Sequence, residues 1–256
     1  MTNSYPIMEF DKDRTSITMP DPFRIGAGTP IPARGVLCFF LDVFEELKRE
    51  GVLTHLGDLG SEMGKNPVYR YQIGADALTV FHPGLGAPLA AGYLEELIAV
   101  GVTMFMVCGG CGVLDATIDA GHPVILTSAV RDEGTSYHYL PPAREVQPHP
   151  LAITALKEAC LEERIDYRLG KTWTTDAFYR ETPGKRKTRL AEGCDVVEME
   201  AAAFFAVAQF REVKLGQIVY GGDLVHEDGW DLRAWRDKFD VRRQLFNLAV
   251  KAVLKL

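Results

Sequence analysis

The chain lacks an excess of positive charge, a cysteine framework and any long apolar run, and each absence removes a class of function. Lys and Arg total 28 against 35 Asp and Glu, for a net charge of −7. Nucleic-acid binding needs a basic face. The only basic cluster, Lys185-Arg186-Lys187-Thr188-Arg189, reads as a solvated helix start or loop, so no nucleic-acid partner is expected. The five cysteines, at 38, 108, 111, 160 and 194, are an odd set without disulfide spacing. Reduced thiols in a cytoplasmic protein are the expectation. Cys108 and Cys111 form a CxxC with no second pair, and His82, His122, His138 and His226 lack ligand spacing, so no metal is expected. No run reaches the roughly 18 apolar residues of a membrane span. The opening MTNSYPIMEFDKDR has no apolar core, so no signal peptide is expected.

What is present is the composition of a globular protein: 256 residues, 47% hydrophobic and 25% charged. No Ser-, Pro- or Gly-rich linker divides the sequence, which favours a single domain. Residues 1–34, rich in Pro, Gly and polar groups, read as an irregular N-terminal arm that suits a subunit contact or a mobile tail, and 35–256 as the domain.

Apolar periodicity supplies the elements. A strand at 36–40 leads into a helix carrying Val43, Phe44 and Leu47 and ending at Gly51. Residues 69–73 and 78–82 form a hairpin around Gly74-Ala75-Asp76. The loop 83–88 precedes a helix over 89–99 and a strand over 103–107. Further strands are expected at 124–129, 167–172 and 216–220, with helices at 151–164, 198–212 and 237–255. Alternating strands and helices define an α/β fold, a three-layer α/β/α arrangement around a mixed central sheet. Ligands in such folds sit beyond the carboxyl ends of strands. Four segments there are rich in glycine or polar groups: 84–88, 108–112, 173–179 and 221–223.

The segment 196–208, VVEMEAAAFFAVA, sets Glu198 and Glu200 around Met199 at the head of an apolar helix. Buried carboxylates need donors. Two readings stand on the residues alone: a capping pair that complements the helix dipole, or a clamp that accepts bonds from the hydroxyls of a sugar. Phe178 offers a face for a ring, and Asp223, after two glycines, is a candidate general acid.

Taken together, HPGLGAPLAAGYLEELIAVGV (82–102), CGGCGVL (108–114), SAVRDEGTSYHYLPP (128–142), TTDAFY (174–179), VEMEAAAFFAVA (197–208) and GGD (221–223) resemble the nucleoside phosphorylase family. That family holds uridine phosphorylase, the bacterial-type purine nucleoside phosphorylases and related nucleosidases. The resemblance implies a phosphorylase/hydrolase-like fold, cleavage of a nucleoside N-glycosidic bond, homo-oligomers built from dimers, and no cofactor beyond phosphate as co-substrate. It also implies that Met199 and Glu200 hold the ribose with Glu198 at the pocket edge, that Phe178 stacks on the base, and that Gly110, Cys111 and Gly112 line the pocket. Asp223 matches the acid that protonates the leaving base in the purine enzymes, and Arg236 has the spacing of the arginine that assists it.

The resemblance breaks at the phosphate site. The family's Gly-Asp-Pro-x-Arg loop corresponds to Leu41-Asp42-Val43-Phe44-Glu45, a second arginine corresponds to Val107, and a phosphate-binding Ser/Thr corresponds to Gly110. Losing two bidentate arginines is a large change for an anion site. One resolution is that Arg24, Arg34, Arg131 or Arg236 rebuilds the site. A second is hydrolysis by water that Glu45 or Glu46 activates, and a third is a non-catalytic nucleoside-binding member. The uridine branch reads the base four and six residues after the stacking Phe, where this chain has Thr182 and Gly184. Asp223 favours a purine, whereas 128–142 favours the uridine branch.

Overall fold

In the computed structural model, which describes residues 5–21, 25 and 30–256, the carboxyl ends of several strands converge on one region. In chain order the elements are β1 (Arg34–Cys38), α1 (Leu41–Arg49), β2 (Leu53–Ser61), β3 (Gly64–Ile73), β4 (Asp76–Phe81), α2 (Ala87–Ala99), β5 (Met104–Val113), β6 (Pro123–Asp132), β7 (Glu145–Val146) and α3 (Pro150–Glu162). They continue with β8 (Arg168–Thr175), α4 (Pro183–Ala191), β9 (Cys194–Glu198), α5 (Ala201–Arg211), β10 (Lys214–Val225), β11 (Trp230–Asp231) and α6 (Phe239–Val253).

β5 organises the sheet. It runs parallel to β1 on one side and to β10 on the other, and its far end pairs antiparallel with β9. β10 continues to β6, β6 to β8 and β8 to β9, so these five strands close into a ring; β4, β3 and β2 extend the sheet beyond β1. Strands such as β1, buried along nearly all their length, need cover on both faces. One apolar cluster joins α2 and α5 to the sheet, and a second joins α1, α3 and α6 to the other face. The expected three layers and mixed sheet are present.

The differences from the expected elements are local. The stretches 108–112, 173–175 and 221–223 are strand, not loop, because β5, β8 and β10 continue through them with paired neighbours. β2 interrupts its own alternation with a bulge at Gly57, which hides its period. The basic run 185–189 is only partly a solvated surface, with Lys187 and Thr188 exposed. It lies in α4, where Arg189 is buried against Asp132 at 3.0 Å, and Arg186 bonds the carbonyls of Val225 and Leu114 at 2.5 and 2.8 Å. The described part of the arm lies on its own chain, with the Arg14 guanidinium on Glu212 and on the Phe210 carbonyl of α5.

Candidate active site

The two carboxylates of 196–208 have different surroundings. Glu198 does not open a helix; it ends β9, and α5 begins only at Ala201. Its carboxylate is 7% exposed and takes four donors: the Thr172 and Thr174 hydroxyls at 3.1 and 2.6 Å, and the amides of Glu200 and Ala201 at 2.7 and 2.6 Å. It thereby ties β8 to the first turn of α5 and satisfies amides that a helix N-terminus leaves open. Burial pushes its carboxyl up while these donors pull it back. Those four bonds make Glu198 a structural anchor between β8, β9 and α5.

Glu200, the N-terminal flanking residue of α5, is only 4% exposed and accepts from the Gly86 amide at 2.6 Å, with the Met199 amide also stabilising its charged form. Burial, then the charge of Glu198, pushes its carboxyl up to about 8. Gly86 has φ +89°, a conformation that favours glycine, and it turns the 82–86 loop so that the amide faces Glu200. Met199, half-buried, lies between the two acids. His82 packs edge-on against Phe39 at 5.8 Å, and its Nδ1 accepts from the Gly84 amide at 3.1 Å. Burial pushes its imidazole down, opposed by the Phe39 carbonyl.

β5 presents Gly110 to solvent, with Cys111 turned inward and its thiol on the Tyr220 carbonyl at 3.2 Å. Burial, with Glu198 and Asp223 near, pushes the Cys111 thiol up well above its usual range. At Gly112 a Cβ would fall 2.9 Å from Val197 and 3.6 Å from Asp223 Oδ2, so only glycine allows β9 and β10 this approach. Asp223 is part-buried, and its Oδ2 accepts from Trp230 Nε1 at 2.6 Å. Phe178 begins a short turn after β8; it is 47% exposed, and its ring centroid lies 4.1 Å from that of Tyr179 at a 45° tilt.

Glu200, Met199, Phe178, Gly110, Cys111, Gly112 and Asp223 thus border one region between the ends of β5, β8, β9 and β10. The candidates for an anion or a water lie elsewhere. Glu45 projects from α1 with its side chain 66% exposed and paired with Lys48 at 2.8 Å. Glu46 pairs across to Arg243 of α6 at 3.5 Å. The i, i+3 and i, i+4 geometry of α1 turns both away, while Val43, Phe44 and Leu47 face the core. Arg131 is buried and spent on its own loop, donating to the Ser136 hydroxyl at 2.8 Å and to the Pro141 and Leu140 carbonyls at 2.7 and 3.1 Å. Glu133 grips the same Ser136, so the 128–142 motif is a self-bonded loop. Arg34 opens β1 opposite Met104, at the end away from the pocket. Arg236 is exposed over the Trp235 ring, and the Asp223 partner expected there is Trp230 instead. Arg24 lies outside the described residues.

Three side chains escaped the sequence reading. Arg242 of α6 reaches the start of α1, bonding Asp42 and the Tyr220 hydroxyl at 3.2 Å each. Arg233 holds the carbonyls of Gly222 and Ile118 at 3.0 and 2.9 Å, bracing the segment that carries Asp223. Glu181 follows the Phe178 turn, and burial, then the charge of Asp223, pushes its carboxyl up to about 7. An acid three residues after the ring-stacking candidate is the local signal for it; Thr182 and Gly184, four and six residues after Phe178, are the cap and an exposed position of α4. Among the described residues no group of three or more His, Cys, Asp or Glu is gathered to hold a metal ion.

An α/β fold with a buried acid at a helix start, and a second acid beside glycine strands, defines a class of small-molecule pocket. Residues 33–255 match the sequence model of the phosphorylase superfamily, and the chain belongs to that family. It is similar to the guanosine phosphorylase of Halorubrum lacusprofundi, 36% identical over 149 residues, which are 58% of this chain and 62% of that protein. The chain thus spans less than two thirds of that relative. Its fold is that of a purine nucleoside phosphorylase from Toxoplasma gondii, with a TM-score of 0.74 at 23% identity, covering 88% of this chain and 90% of that one. The AMP nucleosidase of Bacteroides thetaiotaomicron also shares it, with a TM-score of 0.70 at 20% identity, covering 88% of each chain.

Proposed function

We propose that the protein cleaves the N-glycosidic bond of a nucleoside, as a nucleoside phosphorylase-like pentosyltransferase. The observation that carries this reading is the buried Glu200 carboxylate, which accepts from backbone amides, the Gly86 amide at 2.6 Å among them, and has capacity left for sugar hydroxyls. Met199 packs against the ribose, and the Gly110–Gly112 backbone lines the sugar and base. Phe178 stacks on the base, and Asp223 lies at the base end. The bond breaks through an oxocarbenium-like state, so the pocket must support positive charge at the sugar and a proton at the leaving base. The family membership and the relative named a guanosine phosphorylase support a purine nucleoside and phosphate as co-substrate. Residues 1–34 as arm and 35–256 as domain, a homo-oligomer and a cytoplasmic location belong to the same proposal.

Hydrolysis is a second reading, and one observation favours it. The arginines described near the start of α1 and the 221–223 segment are committed to protein partners: Arg242 to Asp42 and Tyr220, and Arg233 to carbonyls. Water needs no arginine. A product assay on a nucleoside panel separates the readings. Ribose 1-phosphate formed only with phosphate supports transfer, free ribose formed without phosphate supports hydrolysis, and no cleavage of any nucleoside overturns both in favour of a binding protein.

A further inference from the structure

Beyond Asp223 the chain turns back and grips the strand it has just left. β10 and β11 pair antiparallel, with Leu224 opposite Asp231 and Val225 opposite Trp230, and the His226 amide donates to the Gly229 carbonyl at 2.8 Å across the turn between them. Three bonds tie the returning segment to the end of β10. Trp230 Nε1 donates to Asp223 Oδ2 at 2.6 Å, Arg233 Nε to the Gly222 carbonyl at 3.0 Å, and the Tyr220 hydroxyl to the Trp235 carbonyl at 3.0 Å. Arg233 and Ala234 hold φ of +44° and +49°, a left-handed conformation that residues with a side chain rarely adopt, and these bonds hold that bend in place.

Two of the three bonds fix backbone; the one from Trp230 fixes a side chain. An indole N–H only donates, so the bond runs one way and engages Oδ2 as an acceptor. Oδ2 is also the oxygen that faces Gly112, where a Cβ would stand 3.6 Å from it. With Oδ2 held on one side by the indole and bounded on the other by the glycine wall of the pocket, the carboxylate stops rotating and Oδ1 is set in one place. The ring adds little to the core, since Trp230 is 64% exposed and both residues of β11 are exposed. Its one polar atom is spent on a pocket carboxylate, so its effect falls on the pocket more than on the fold.

We propose that Trp230 is a positioning residue for the leaving base: through its indole N–H it fixes the Asp223 carboxylate at the base end, with Arg233 bracing the backbone beneath. The proposal rests on the glycosidic-cleavage reading. It gives to Trp230 the support of Asp223 that the sequence suggested for Arg236, whose guanidinium lies over the Trp235 ring.

The test is steady-state kinetics of Trp230→Phe and Trp230→His on a nucleoside that the wild type cleaves, beside Asp223→Ala with and without Trp230→Phe. Trp230→Phe keeps a ring and loses the N–H. It should lower kcat about 10–100-fold with KM changed less than about threefold, since a group misplaced for the bond-breaking step costs rate and not binding. Trp230→His, whose imidazole restores an N–H, should recover part of that kcat. Added to Asp223→Ala, Trp230→Phe should cost less than about twofold more, because Asp223 is the group through which it acts. Wild-type kcat in Trp230→Phe overturns the proposal, as does an equal loss in Trp230→His or a full further loss on top of Asp223→Ala. A rise in KM at unchanged kcat overturns it in favour of direct contact between the ring and the base. Each of these leaves the cleavage reading standing. A wild type that cleaves no nucleoside overturns the cleavage reading and the proposal with it.

Discussion

The Gly86 amide donates to the Glu200 carboxylate at 2.6 Å across 114 residues of sequence, joining the loop before α2 to the head of α5. Gly86 holds φ +89°, and a Cβ there would meet nothing within 4 Å. Gly86→Ala is therefore a test of backbone conformation without a clash. We expect a stability loss of about 1–3 kcal/mol, from forcing a side chain into a positive-φ, extended-ψ conformation that is nearly confined to glycine. Nucleoside affinity should fall by a further factor of roughly ten as the amide swings off Glu200. Denaturant unfolding and calorimetric binding measure the two, and unchanged affinity with lowered stability would separate Gly86 from the sugar clamp.

Glu198 and Glu200 should part company on mutation. Glu198→Ala leaves two hydroxyls and two amides in the interior without their acceptor. Each orphaned donor costs about 1–3 kcal/mol, so a loss of roughly 3 kcal/mol or more is expected. Glu200→Ala removes the acceptor of the part-buried Gly86 amide, and should cost about 1 kcal/mol, the low end of that range, while abolishing detectable nucleoside binding. Chemical denaturation beside ligand titration reads both. A Glu198→Ala variant as stable as the wild type would return Glu198 to the pocket.

The pH dependence follows from the Glu200 carboxyl, raised by burial and by Glu198 to about 8. Between the ordinary value near 4.5 and about 8 the folded chain keeps a proton that the unfolded chain has released. Stability must therefore fall as pH rises through that window. Thermal unfolding of Glu200→Gln should show a flatter slope between pH 5 and pH 8 than the wild type. Sugar hydroxyls that donate to Glu200 favour its charged form, so nucleoside binding at pH 7 should release protons. Calorimetry in two buffers of different ionisation enthalpy detects that release, and a binding enthalpy independent of buffer would count against the clamp.

The sheet and most helices were legible because burial leaves a period: Val43, Phe44 and Leu47 of α1 and the apolar runs of β5 and β10 sit where their spacing puts them. The helix carrying Glu200 was legible in composition but not in its start. Nothing local reveals that Glu198 would turn back onto Thr172 and Thr174, more than twenty residues earlier. Glycine-rich stretches read as loops because glycine is permissive, yet at Gly112 and Gly221 it allows strand backbones to crowd. Site residues on the recognisable motifs converge on one region. Those chosen to fill the phosphate gap do not, since free charge in sequence says nothing of partners. Arg131 looked available, yet each of its three nitrogens bonds its own loop, whereas the role of Arg242 is not legible because its partner Asp42 lies 200 residues away.

Asp132 ends β6 at the back of the pocket wall, where it gathers the Trp173 indole, Lys185 and Arg189 at 2.9, 3.2 and 3.0 Å. Burial alone would raise its carboxyl, but Arg189, Lys185 and Trp173 together hold it below the usual range. A depressed carboxyl contributes stability above its unfolded value, near 3.8, and that contribution is lost as pH falls through the lower folded value. Asp132→Asn strips the charge from two cations, one of them the buried Arg189. The side chain is partly solvated, so the expected loss is about 1–3 kcal/mol at pH 7, less than for a fully buried pair. The gap between variant and wild type should shrink as pH falls below about 3.8, where the wild-type carboxyl becomes protonated too. α4 also carries the turn with Phe178 and Glu181, so the same variant should loosen the base end first. Hydrogen exchange over residues 176–190 should rise before global unfolding, and protection unchanged there would mean that Arg186 alone anchors the helix.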